Sequence, residues 1–108
     1  MRKLVISVSL LSLAIMPACG GGLSGMFKGK GTGTPVVTKD VKTYQSAEYV
    51  NGSYTELGTA RGQGPSAQEA IDMARLHCGK NGGNTLIMNT DPFQSGGGWR
   101  ADATCATQ

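Results

Sequence analysis

Hydrophobic and polar positions divide the chain into three stretches. Residues 1–18 open with Arg2 and Lys3 and then run apolar from Leu4 to Ile15. The next stretch, "GGGLSGMFKGKGTGTP", has only Leu23, Met26 and Phe27 as large apolar residues among glycines and small polar ones. From about Asp40 onward, apolar residues recur with period. In "GPSAQEAIDMARLHCGKNGG", Ala67, Ala70, Ile71, Ala74 and Cys78 fall at three- and four-residue steps. That spacing puts them on one face of a helix. Ser66 followed three residues later by Glu69 is a capping box, in which the hydroxyl accepts an early backbone N–H and the carboxylate reaches back. Glu69 and Asp72 lie toward the helix start, Arg75 and Lys80 toward its end, as the helix dipole favours. Gly79, Gly82 and Gly83 supply the expected stop. Alanines along the inner face imply close approach to a sheet.

The remaining pattern predicts strands. "VKTY" (Val41–Tyr44) is short and β-rich, and "YTELGTARG" (Tyr54–Gly62) follows a turn at Asn51-Gly52. "NTLIMN" (Asn84–Asn89) is a brief apolar run after the helix. "WRADATCAT" (Trp99–Thr107) alternates, with Trp99, Ala101, Ala103 and Cys105 on one side and Arg100, Asp102 and Thr104 on the other. "DPFQSGGG" between the last two strands reads as a hairpin loop. The order is β-β-α-β-β. It predicts an α+β domain over residues 40–108, with one helix packed on one face of a sheet of about four strands. Residues 19–39 are expected to be a flexible Gly-rich linker, with an r.m.s. reach of about 24 Å for Gly20–Thr38.

The apolar run near the start suits the core of an export signal and is too short for a membrane span, which needs roughly 20 residues. Residues 1–18 are therefore expected to be a cleaved signal peptide. Met16 is large for an ordinary cleavage site, which takes small residues at both −3 and −1. "MPAC" instead resembles a bacterial lipobox. That resemblance implies cleavage before Cys19 and lipidation of its thiol, and two or more acyl chains anchor a protein stably to a membrane. The cysteine count agrees. Cys19, Cys78 and Cys105 are odd in number and cannot all pair within one chain.

Charge narrows the partners. Without Arg2 and Lys3 the ten cations become eight against seven acids, a balance of +1. No basic face calls for nucleic acid. "GKGTGT" lacks the spacing of a phosphate loop, and no helix pattern follows it.

Cys78 lies on the helix face that carries Ile71 and Ala74, and Cys105 lies on the strand face that carries Ala101 and Ala103. Both periodicities aim their cysteine at the same helix–sheet interface. In an oxidising compartment such a pair is expected to form a disulfide. A redox pair would favour C-x-x-C at a helix start. A metal site would need more ligands than the single His77 beside Cys78, whose side chain points away around the helix.

No catalytic constellation is found. His77 has no partner motif, and Ser46, Ser53 and Ser95 sit in turn-like contexts. Glu48 and Glu56 read as solvated carboxylates. Tyr44, Tyr49 and Tyr54 read as strand and turn packing, with a carbohydrate platform as the sharper alternative. No cofactor motif is present. Met73 and Leu76 fall on the outer side of the helix and are the candidate partner-docking residues.

Laid out this way, the chain resembles a family of small Gram-negative envelope lipoproteins typified by the outer-membrane sensor lipoprotein of the Rcs phosphorelay. The resemblance rests on "YTELGTARG", "SAQEAIDMA", "GKNGGNTLI" and "ADATCAT", together with the anchor-and-linker plan. It implies residence at the outer membrane, with the domain in the periplasm. Gly20, directly after the anchor cysteine, agrees, because the inner-membrane retention signal at that place is Asp. The expected function is a non-enzymatic module, a sensor or envelope accessory, that is held to the membrane through Cys19 and binds another envelope protein. The alternative is a periplasmic module for a small ligand, glycan or metal.

Overall fold

The computed structural model describes residues 22–108. Cys19 and the expected signal peptide lie outside the described residues. The fold is α+β, with one helix packed against a mixed sheet of six strands. In chain order these are β1 (Ser24–Gly29), β2 (Lys42–Tyr44), β3 (Thr55–Gly64), α1 (Ala67–Lys80), β4 (Thr85–Met88), β5 (Phe93–Ser95) and β6 (Gly98–Thr107). Short 3₁₀ turns occupy Thr38–Asp40 and Ala47–Tyr49. The sheet order is β1-β3-β6-β4-β2, and β5 pairs with β6 beyond the end of β4. Only β2 and β4 run parallel.

Two strands exceed the expected count of about four, and both lie where the sequence reads as loop. β5 belongs to "DPFQSGGG", where Gly96 and Gly97 turn the chain into β6. β1 lies inside the stretch expected to be a linker and pairs antiparallel with β3 from Ser24↔Gln63 to Gly29↔Gly58. Residues 22–39 are therefore part of the domain, not a free tether. After β1, the Thr32 N–H donates to the Asn81 carbonyl and the Val36 N–H to the Gly79 carbonyl, both at 2.8 Å. The last carbonyls of any helix lack intrahelical donors; here the strap donates to Gly79 and to Asn81 just beyond the helix, while the Asn81 side chain donates to the His77 carbonyl and the Asn81 and Gly83 N–H groups to the Cys78 carbonyl. Arg75 secures the strap from the helix side, donating from Nη2 to the Thr38 carbonyl at 2.9 Å and from Nε to the Val41 carbonyl at 3.2 Å.

The helix begins as its cap predicts. Ser66 Oγ accepts the Glu69 N–H at 3.2 Å. The Glu69 carboxylate accepts from the Ser66 hydroxyl at 2.9 Å, the side-chain variant of the reciprocal bond. The helix end differs from expectation. It continues through Gly79 to Lys80, and the chain turns at Gly82, where φ is +91°.

Helix and sheet meet along small residues. Ala70, Ala74 and Cys78 on α1 are fully buried against Ala60 on β3 and Ala101, Ala103 and Cys105 on β6. Gly62 makes the approach close, because a Cβ there would run into the Ala70 carbonyl. Phe27, Leu57, Ile71 and Trp99 pack around this core. The largest fully buried side chains are Leu86, Val41, Thr85 and the two cysteines. A core with so little aliphatic bulk is one in which a covalent link is expected to matter.

Candidate interaction surface

That link is present. Cys78 and Cys105 form a disulfide with Cα atoms 5.4 Å apart, inside the helix–sheet interface. Both cysteines are fully buried. The bond is thus placed to staple the core.

His77, next to Cys78, packs its ring against Gly25 of β1. Burial, and then the positive charge of Lys80, lower its pKa from the ordinary imidazole value. Among the described residues, no group of three or more His, Cys, Asp and Glu side chains is placed to hold a metal. No described helix is long and apolar enough to cross a membrane.

The expected docking residues Met73 and Leu76 are only half-buried, and they do not stand out from the helix. The exposed large apolar residues lie elsewhere. Leu23 and Met26 are on or beside β1, Val37 is in the strap, Tyr49 is in a 3₁₀ turn and Phe93 is on β5. Tyr44 and Tyr54 are half-buried, whereas Tyr49 is exposed.

The sheet face turned away from the helix carries a constellation that sequence reasoning missed. Strand alternation and register bring Ser24 and Met26 of β1, Arg61 and Gln63 of β3, Arg100 and Asp102 of β6 and Phe93 of β5 to this side. Asp102 accepts from Arg61 Nε at 3.1 Å, from Arg100 Nε at 2.9 Å and from Arg100 Nη2 at 3.1 Å. One carboxylate thus holds two guanidinium groups in fixed orientation. Burial opposes ionisation of Asp102, but the hydrogen bonds and charges of Arg100 and Arg61 outweigh it and hold the carboxyl below its usual range. Arg100 also sits 5.6 Å from the centroid of the Phe93 ring, within cation–π range.

Arg61 turns its outer edge the other way. Its Nη1 lies 3.7 Å from Met26 Sδ, a weak acceptor. A shallow cleft opens there, lined by Ser24, Gly25, Met26, Arg61 and Gln63. Ser24 Oγ donates to Gln63 Oε1 at 3.1 Å, which directs the Gln63 amide nitrogen to the other side. The cleft is therefore rich in donors. It borders β1, an outer strand of the sheet with a partner on one side only. Such an edge presents backbone groups to a further strand.

Half of this network was visible as the polar side of "WRADATCAT". Arg61 could be joined to it only through the pairing Arg61↔Asp102, across β3 and β6. No protein-family model, curated protein or solved structure matches the chain.

Proposed function

We propose that the chain is a lipid-anchored outer-membrane lipoprotein whose periplasmic domain binds another envelope protein, as a sensor or assembly accessory without enzymatic activity. Cys19 is the lipid attachment point and the Cys78–Cys105 bond is the staple. The likeness in motif to the Rcs-type sensor lipoproteins supports the anchor and the compartment. The observation that carries the binding role is the open sheet face. Arg61 and Arg100 are held around Asp102, and exposed Met26 and Phe93 flank them. Arginine, methionine and aromatic residues are the types enriched in protein–protein contacts. Docking is therefore centred on this face and the β1 edge, and the half-buried Met73 and Leu76 are secondary.

In-cell photo-crosslinking tests the reading, with a photoreactive residue in turn at positions 26, 93 and 76. The expected result is one discrete adduct with an envelope protein from position 26 or 93. Silence at all three, with a melting temperature that rises on adding a small ligand or glycan, would replace this reading with the ligand-binding one. Intact mass of the membrane-extracted protein tests the anchor. An unmodified chain starting at Met1 would refute it.

A further inference from the structure

β1 begins at Ser24, five residues after Cys19. An extended chain spans at most about 3.3–3.6 Å per residue, so Ser24 lies within roughly 17 Å of whatever holds Cys19. β6 alone, ten residues long, measures about 30 Å at the usual strand rise. The tether left by β1 is shorter than the domain it holds. The domain cannot stand off from its anchor as a free linker would allow.

The register identifies which end is held close. Ser24 pairs with Gln63, Gly64 with Trp99, and Gln94 with Trp99. The start of β1, the end of β3, the β5–β6 hairpin and the start of α1 therefore share one end of the molecule. Residues 22–24, 63–66 and 94–99 at this end include no charged side chain; the charges that border them are Glu69, whose carboxylate accepts from the Ser66 hydroxyl, and Arg100, which pairs in register with Gln63 and is held by Asp102 on the open face. Leu23 is 58% exposed there, and Trp99 is half-buried beside an open cleft lined by Pro65, Gln94 and the glycines of the hairpin. Lysines collect at the other end, where Lys30 follows β1, Lys42 opens β2 and Lys80 closes α1.

We propose that the tethered end of the domain, with Leu23 and Trp99, rests on the lipid surface that holds Cys19. The inference builds on the lipid-anchor reading. Glu69 and Arg100 sit at the margin of this end and can keep their charged groups in the polar headgroup layer, so that the Leu23 and Trp99 surface is lowered with little desolvation of charge. Tryptophan suits that layer because one part of its ring system is apolar and its N–H is polar. In this orientation the sheet stands up from the membrane. The Arg61–Asp102–Arg100 face then looks sideways, accessible to a partner in or beside the same membrane.

The chain has a single tryptophan, so its emission reports Trp99 alone. The test uses the full lipidated protein in phosphatidylcholine vesicles, with and without lipids brominated high on the acyl chain. The expected result is loss of most Trp99 emission in the brominated vesicles. A second protein, carrying Trp99→Phe and Lys80→Trp, places the reporter at the lysine-bearing end and is expected to keep its emission. Leu23→Glu is expected to weaken the quenching of Trp99. Protein that floats with the vesicles yet shows no quenching at position 99, or equal quenching at 99 and 80, overturns the orientation and leaves the anchor standing. Protein that fails to float overturns the anchor and the orientation together.

Discussion

The Val36 backbone N–H donates to the Gly79 carbonyl at 2.8 Å, and the Val36 carbonyl in turn lies where a Cβ on residue 79 would have to go. A segment with the composition of a linker thereby caps the helix that carries half of the disulfide. Gly79→Ala is expected to push the strap off the helix end at a cost of about 2 kcal/mol, in the range of overpacked sites. For a domain this small that is a fall of roughly 10 °C in Tm. Thermal melts followed by circular dichroism check it. An unchanged Tm would mean that the strap contributes nothing.

The staple is expected to matter more than any single side chain. Cys78 and Cys105 are 27 residues apart, and closing a loop of that size is worth about 3–4 kcal/mol in the chain-entropy account. The double substitution Cys78→Ala and Cys105→Ala is expected to lower the urea midpoint correspondingly. Wild-type protein melted in reductant should match it. A double mutant as stable as wild type would show that the alanine-rich interface suffices alone.

Asp102 predicts an acid-limb effect with a definite sign. Its folded pKa is depressed, so its contribution is fully present above the unfolded value of about 3.9 and is lost as pH falls through the folded value. Asp102→Asn is expected to cost about 1 kcal/mol at neutral pH, as for a partly exposed ion pair. The gap to wild type should close as pH drops below about 4. Urea melts across that range check it. A gap that is constant with pH would assign the loss to packing instead.

Most of the helix was legible because its signals are local. Ser66 and Glu69 sit within one turn, and the small residues at Ala70, Ala74 and Cys78 repeat at the helical period. The same holds for β6, whose alternation put Ala101, Ala103 and Cys105 on the buried side. The disulfide followed from the two together. β1 and β5 were not legible. Their residues mix glycine with isolated apolar side chains, and their place in the sheet is secured by main-chain pairing, which leaves little mark on composition. The candidate surface was half legible. Arg100 and Asp102 share a strand, whereas Arg61 joins them from a strand distant in sequence.

Composition and periodicity were sufficient for the fold class, the inner faces of α1 and β6, and the meeting of Cys78 with Cys105, because each depends on spacing within one element. Sheet order, the capture of residues 22–39 and the gathering of Arg61, Asp102 and Arg100 came from long-range backbone pairing. A glycine-rich segment can hydrogen-bond to a neighbour as well as any other, and nothing in its own pattern says which neighbour it will find.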